Sequence, residues 1–181
     1  MTNAEAILKV RSLLLARYPD YNRKSNNERV ALAAGALRDD FKIREATGRN
    51  DGAWVTAILN GVQLGAGYKW CGALVKFVLD VAGVKTPGIT AREFASVAEI
   101  RQWALAKGIV SRTPGRGYGA FRKSRGVSHV GISIGSLLGF TRSVEGNTSS
   151  GEAGSQDDGG GLYGRNRLTS FWDGFIDWNK L

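Results

Sequence analysis

The spacing of apolar residues changes near Ile109, and this change constrains the fold more than any other feature of the sequence. Before it, apolar residues recur every three or four positions, which is the period of an α-helix with one buried face. After it, short runs of alternating apolar and polar residues are separated by glycine-rich breaks, which is typical of β-strands joined by turns. Helices followed by strands predict an α+β fold with an antiparallel sheet.

Five helices and about five or six strands are expected from these patterns. Thr2 and Glu5 have the spacing of a capping box, Asp51 is placed to cap the third helix, and Gly83 to end the fourth. The predicted helices are the one that follows Thr2 and those at 27–47, 51–59, 70–83 and 94–107. The predicted strands are 118–121, 129–134, 140–145, 162–165 and 171–178. With 181 residues, of which 43% are hydrophobic, the chain is long enough to bury its own core.

Charge is a second constraint, because the chain carries 25 Lys and Arg residues against 16 Asp and Glu. The resulting net charge of +9 favours a polyanionic partner such as a nucleic acid, an anionic membrane or a cell-wall polymer. The segment 111–126 concentrates this charge and contains no acid. Its cations are Arg112, Arg116, Arg122, Lys123 and Arg125. Such a segment is either a nucleic-acid surface or a solvated loop beside a cleft.

Several kinds of site are not supported by the sequence. A single cysteine cannot form the ligand clusters of a zinc site, and Asp157 and Asp158 alone do not make a calcium loop, so no metal is expected. Gly159, Gly161 and Gly164 match a dinucleotide-binding pattern, but they follow a polar loop and precede no helix, so no cofactor is expected. No run approaches the roughly 20 apolar residues of a membrane span, and the N-terminus lacks the apolar core of a signal peptide.

The only cysteine, Cys71, lies where the fourth predicted helix begins. Apolar residues from Leu74 onward continue at helical spacing, so Cys71 occupies the first turn. Two interpretations are open at this point. Free cysteine is commonly a buried core residue. It can also be a nucleophile here, because the unpaired N–H groups and positive dipole end of a helix N-terminus stabilise a thiolate.

The only histidine, His129, is predicted on the polar face of its strand, since the apolar residues of that strand alternate on the other face. If the following hairpin is symmetric about Leu137, His129 pairs with Glu145, and Asn147 lies on the same face two residues further along. A thiol nucleophile needs a base, and the base needs an acceptor that orients its ring. Cys71, His129 and either Glu145 or Asn147 fill these roles.

Three stretches, YKWCGALV, SHVGISIG and VEGNT, resemble the signature segments of CHAP domains. These are cysteine, histidine-dependent amidohydrolases and peptidases, related to the NlpC/P60 and papain-like folds. The resemblance covers about residues 42–181, and it implies a papain-like catalytic domain there. Residues 1–41 fall outside the resemblance and are too short for a core of their own, so they are expected to form a helical N-terminal extension packed on that domain. Gly72 departs from the family, because many members have alanine after the cysteine.

The resemblance implies a role for each matching residue. Cys71 is the expected nucleophile and His129 the expected base and later acid, with Glu145 orienting the imidazole and Asn147 as a fourth polar member. The backbone N–H of Cys71 would help to form an oxyanion hole. Three further residues are candidates for substrate binding, with packing as the alternative for the two aromatic ones: Tyr68, Trp70 and Gly131.

The resemblance further implies hydrolysis of an amide bond in bacterial peptidoglycan, either between N-acetylmuramic acid and L-alanine or within the stem peptide or cross-bridge. A phage or prophage lysin of this kind is made in the host cytoplasm and reaches the wall after release by another agent. The expected partner is the polyanionic wall, with no nucleic acid, and the protein is expected to be a monomer. Two alternatives are an intracellular cysteine amidase or peptidase with a non-wall substrate, and a non-catalytic basic module that binds nucleic acid or wall polymer.

Overall fold

The structure, a computed structural model, describes residues 1–123, 128–149 and 159–181. Arg125, Asp157 and Asp158 lie outside these ranges. The helices are α1 (Asn3–Arg17), α2 (Asn26–Ala36), α3 (Ala53–Asn60), α4 (Cys71–Ala82) and α5 (Val97–Ala106). The strands are β1 (Val110–Ser111), β2 (Gly119–Arg122), β3 (His129–Leu137), β4 (Phe140–Thr148), β5 (Gly161–Leu168) and β6 (Gly174–Ile176). The predicted α+β layout, with helices first and strands later, is confirmed.

The strands form a single antiparallel sheet of six strands among the described residues, in the order β1-β6-β2-β3-β4-β5. β1 was not expected, because two residues are too few to show an alternation. A 3-10 turn at Thr169–Phe171 follows β5, after which the chain crosses to the far side of β2 to form β6. This order places β3 near the centre of the sheet, with His129 as its first residue.

The core lies between the helices and one face of the sheet, and α4 is its central element. Ten of the twelve residues of α4 are buried, as expected for a helix that is apolar on most of its surface. Val10 of α1 and Val30 of α2 belong to the same apolar cluster as Leu74 of α4 and Ile132 of β3. The first two helices therefore share the main core. Among the described residues, none of the helices combines the length and apolarity needed to cross a membrane.

The ends of two helices differ from the sequence-based prediction. The capping box of α1 and the left-handed glycine at the end of α4 are confirmed. The helix predicted over 27–47 is too long, because α2 continues only through a π-helical turn at Leu37–Phe41 and Lys42 then takes φ 47°. Arg44 instead forms a bridge with Gly161 of β5, and this pairing takes the chain out of the helix. Asp51 does not cap α3, since its carboxylate accepts hydrogen bonds from Thr47.

The β3–β4 hairpin has a different register from the predicted one. Its turn is the dipeptide at 138–139, because Leu137 pairs with Phe140, so the hairpin is not symmetric about Leu137. Ile132 pairs with Val144, whereas symmetry about Leu137 predicts Val130 in that place. A bulge between Ser133 and Gly135 adjusts the register further along the ladder.

The predicted direct pairing of His129 with Glu145 is therefore wrong, but the two side chains remain on one face of the sheet. A strand has a side-chain period of two residues, so a shift of two leaves every side chain on its original face. Glu145 now reaches His129 diagonally across the sheet. A second bulge, between Glu145 and Thr148 in the β4–β5 ladder, contains Asn147.

Candidate active site

Cys71 is the first residue of α4 and lies at the edge of an open cleft of about 280 Å³. Its side chain is only 6% exposed, so the thiol belongs both to the core and to the cleft. The described residues that line the cleft include two lysines and no acid. They are Lys69, Cys71, Ala95, Ser96, Val97, Ala98, Lys123 and Ser128.

The residues on either side of Cys71, Trp70 and Gly72, fix the position at which α4 begins. Trp70 is fully buried, and its indole Nε1 donates a hydrogen bond of 3.0 Å to Glu45 Oε1. A Cβ atom on Gly72 would lie 2.1 Å from the carbonyl oxygen of Phe94, so a side chain cannot be accommodated without moving the backbone. This contact explains why glycine follows the cysteine here. Trp70 therefore packs in the core next to Cys71. Because it is fully buried, it has no exposed surface for the predicted contact with substrate.

His129 is fully buried and interacts with both the Cys71 thiol and the Glu145 carboxylate. Its Nε2 lies 2.9 Å from Glu145 Oε2. The imidazole also stacks on Trp172, with ring centroids 6.2 Å apart and planes 23° apart. Nδ1 has no hydrogen-bond partner among the described residues, and it is the nitrogen left to accept the proton of Cys71. The neutral ring therefore donates from Nε2 to Glu145 and can act as a base through Nδ1.

The thiol and the imidazole shift each other's pKa in opposite directions. Burial by itself raises the pKa of the Cys71 thiol, but His129 and the backbone N–H groups of Val130 and Gly72 lower it by more. Burial by itself lowers the pKa of His129, but its contacts with Cys71 and Glu145 raise it to about 9. Both shifts favour a thiolate beside an imidazolium. This is the reactive form of a cysteine nucleophile.

We expect Cys71 to be alkylated by iodoacetamide with a pH midpoint below the ordinary thiol pKa of about 8.5. The rate rises with pH as the thiolate forms, and Cys71 is the only cysteine, so the reaction reports this residue alone. In His129→Ala the midpoint should rise above about 8.5, because burial remains while the counter-charge is lost. Alkylation rates measured across pH give both midpoints. Equal midpoints in the two proteins would contradict the proposed pairing.

Glu145 is the centre of a buried hydrogen-bond network. Its carboxylate accepts from Ser143 Oγ at 2.5 Å and from Arg167, with Nε 2.9 Å from Oε1 and Nη2 2.5 Å from Oε2. Burial by itself raises the pKa of Glu145, but Arg167 and His129 outweigh it and lower the pKa to about 2. The ionised carboxylate therefore stabilises the fold fully above its unfolded pKa of 4.5. This stabilisation is lost as the pH falls through about 2.

Sequence reasoning missed Arg167, Ser143 and Trp172. Arg167 lies on β5 and is only 9% exposed, with its guanidinium 4.5 Å from the centre of the Phe171 ring. Arg122 also lies over this ring, at 4.2 Å, and so packs within the fold. The alternation within β5 places Arg165 and Arg167 on one face, but no local signal shows which arginine meets Glu145.

Gly131 provides the space through which Glu145 reaches His129. It is buried, and a Cβ atom there would lie 2.8 Å from Glu145 Cγ and 2.9 Å from the carbonyl oxygen of Val144. The observed contact of Gly131 is therefore with the Glu145 side chain. Because Gly131 is buried, little of its surface is available for the predicted contact with substrate.

Gly131→Ala is expected to lower the free energy of unfolding by about 1–3 kcal/mol, because the added methyl group overpacks the sheet beside Glu145. Gly135→Ala is the matched control on the same strand, since nothing lies within 4 Å of its Cβ position. Its effect should stay within about 0.5 kcal/mol. Urea denaturation measures both. Equal losses in the two variants would show that the effect comes from the strand and not from the contact with Glu145.

The remaining sequence-based predictions concern Asn147, Tyr68 and the basic segment 111–126, which differ in their burial and surroundings. Asn147 is buried in the β4 bulge with φ 57°, two residues beyond Glu145, and its part in catalysis stays a prediction. Tyr68 is 55% exposed three residues before Cys71, where it remains a candidate for substrate contact. The basic segment is not one surface: Arg122 packs on Phe171, whereas Lys123 lines the cleft.

No protein-family model, curated protein or solved structure matches the chain. The papain-like relationship implied by the three signature stretches therefore stays a prediction. Within the described ranges, no group of three or more His, Cys, Asp and Glu side chains is placed to hold a metal ion.

Proposed function

We propose that this protein hydrolyses an amide bond of bacterial peptidoglycan, with Cys71 as the nucleophile and His129 as the general base. The observation that carries the chemistry is the series of contacts from the thiol through the imidazole to the Glu145 carboxylate, beside an open cleft. Nucleophile, base and orienting acceptor are the three parts that cysteine hydrolases require.

In the acylation step, the Cys71 thiolate attacks the carbonyl carbon of the bound amide. In the proposed step, backbone N–H groups in the first turn of α4, including that of Cys71, stabilise the oxyanion that develops, since these groups have no partner within the helix. The imidazolium of His129 then protonates the leaving nitrogen from Nδ1. The C–N bond breaks, the amine departs and the acyl group remains on sulfur as a thioester.

In the deacylation step, neutral His129 removes a proton from water at Nδ1 while the water attacks the thioester carbonyl. The C–S bond breaks, the carboxylic acid product leaves, and the thiolate and imidazolium are restored. Glu145 keeps the ring oriented in both steps and stabilises its positive charge. Arg167 holds Glu145 in place and keeps it ionised.

The proposed substrate rests on the charge of the cleft together with the three signature stretches. Peptidoglycan stem peptides carry free carboxylates close to their amide bonds. Lys69 and Lys123 line the cleft, and Ser96 there is the N-cap of α5, so the helix presents its positive dipole end. The net charge of +9 also favours approach to a polyanionic wall. In this role the protein is a phage or prophage lysin that acts on the wall outside the cytoplasm in which it is made.

The test is incubation of the purified protein with isolated sacculi, followed by assay of new amino groups and mass spectrometry of the soluble fragments. We expect release of fragments with one cleaved amide bond. Their masses distinguish cleavage at N-acetylmuramoyl-L-alanine from cleavage in the stem peptide or cross-bridge. If soluble proteins or small amides are hydrolysed while sacculi remain intact, the proposed wall substrate is wrong and the enzyme acts on a non-wall substrate. Binding to the wall without any turnover would overturn the enzymatic proposal.

A further inference from the structure

Large apolar side chains are exposed at the tip of the β3–β4 hairpin and on the strand beside it. The exposed fractions are 87% for Leu138, 70% for Leu137, 56% for Leu168 and 40% for Phe140. Leu137 pairs with Phe140, and Phe140 pairs with Leu168, so three of the four lie in one row across β3, β4 and β5. Leu138 extends from the turn. We call these four residues the apolar tip.

Folding alone does not explain the leucine in this turn. Leu138 has φ 51° and Gly139 has φ 79°, so both central residues of the two-residue turn have the positive φ of a type I′ turn. Asn-Gly is the favoured sequence there, because asparagine and glycine adopt the left-handed region readily, whereas leucine is sterically disfavoured in it. Leu138 buries almost none of its side chain in return.

The apolar tip is held firmly against the rest of the sheet. The backbone N–H of Thr169 donates to the carbonyl oxygen of Gly139 at 2.8 Å. The hydroxyls of Thr169 and Thr141 lie 3.0 Å apart and share a further hydrogen bond. A tip fixed in this way loses little conformational entropy when it binds a partner.

Cations flank the apolar tip. Arg142 is exposed two residues after Phe140, and no hydrogen bond or ion pair joins its side chain to another described residue. Arg116 is also exposed and donates from Nη1 to the carbonyl oxygen of Ile134 at 3.3 Å, three residues before Leu137. The segments 128–144 and 159–172, which contain the tip and the parts of its strands next to it, have no acidic residue, and Glu145 further along β4 is fully buried.

We propose that the apolar tip inserts into the surface of an anionic lipid bilayer, with Arg116 and Arg142 against the headgroup phosphates. A projecting tip of four side chains is much smaller than the roughly 800 Å² that each partner buries in a stable protein interface. A bilayer requires only shallow burial of a few apolar groups together with nearby cations. This surface does not involve Cys71 or its cleft, so the inference is independent of the proposed amide hydrolysis.

Leu138→Asn tests the proposal without weakening the fold, because it creates the favoured Asn-Gly turn. We expect its partition coefficient for vesicles of phosphatidylcholine and phosphatidylglycerol to fall about tenfold, from the loss of one inserted leucine. Leu8→Gln is the control, since Leu8 is 64% exposed on α1, away from the tip, and its binding should change less than about twofold. Vesicle co-sedimentation measures both, and thermal unfolding confirms that each variant is folded.

The charge contribution is tested in the same assay with Arg142→Gln. We expect about a fivefold loss of binding to the anionic vesicles, from one cation near the surface. The loss should disappear in high salt, which screens surface charges. Arg101→Gln removes an exposed arginine from α5 and is the control. On vesicles of phosphatidylcholine alone, the two variants should bind equally weakly.

Wild-type vesicle binding by Leu138→Asn would overturn the proposal, as would equal losses in Leu138→Asn and Leu8→Gln. Sedimentation equilibrium measures the oligomeric state as a second test. If the wild-type protein is a dimer and Leu138→Asn is a monomer, the tip is an interface between copies of this chain and the lipid proposal is overturned. Binding to wall polymer or nucleic acid that depends on Leu138, with none to lipid, would also overturn it. Hydrolysis of soluble wall fragments should be unchanged in Leu138→Asn, so the two proposals fail separately.

Discussion

Cys71→Ser is expected to lower the rate of sacculus hydrolysis by about 10⁴- to 10⁶-fold, the range found when a residue of a catalytic triad is removed. Serine is close to isosteric with cysteine, so the fold and the cleft should be preserved. Its hydroxyl ionises far above neutral pH, however, and the ion pair with His129 that prepares the thiolate cannot form. The measurement is release of soluble fragments per enzyme over time.

His129→Ala is expected to cause a loss of the same order, and the double variant should be no worse than either single one. Residues that act as one catalytic unit are strongly non-additive, because each is of little use without the other. Lys76→Gln is a control on the same helix, since Lys76 pairs with Asp80 away from the cleft. It should keep near-full activity. Near-full activity in either single variant at Cys71 or His129 would show that the mechanism is wrong.

Arg167→Met is expected to lower the free energy of unfolding by about 3–5 kcal/mol, the usual cost of breaking a buried ion pair. Methionine fills much of the space of the arginine stem but leaves the Glu145 carboxylate, which is fully buried, without its bidentate partner. The pKa of Glu145 should therefore rise. Urea denaturation at neutral pH measures the loss of stability.

A double-mutant cycle with Glu145→Gln separates this ion pair from simple loss of packing. The double variant should be less destabilised than the sum of the two single variants, because neither charge is then left buried alone. Arg167→Lys keeps the charge but loses the two-pronged geometry, so it should fall between Arg167→Met and wild type. Arg142→Gln is an exposed control on the neighbouring strand, with an expected change within about 0.5 kcal/mol. A loss below about 1 kcal/mol in Arg167→Met, or exact additivity in the cycle, would contradict the role given to Arg167.

Two features of the site could be predicted because they depend on local periods. The helical period places Cys71 in the first turn of α4, and the observed N-cap and C-cap at Trp70 and Gly83 agree with it. The strand period places His129 and Glu145 on one face. The register prediction was wrong by two residues, yet the contact of 2.9 Å forms because an even shift preserves the face.

The sequence by itself therefore determined the order of helices and strands, the helix terminus that carries the thiol, and the sheet face that carries the imidazole. These follow from spacing along the chain, which is a local property. Only the tertiary structure decided that Arg167 of β5 neutralises Glu145, that Trp172 stacks on His129, and that Gly131 leaves room between them. Each of these contacts joins residues whose separation in space depends on strand register, bulges and the packing of distant segments, and no local pattern encodes that separation.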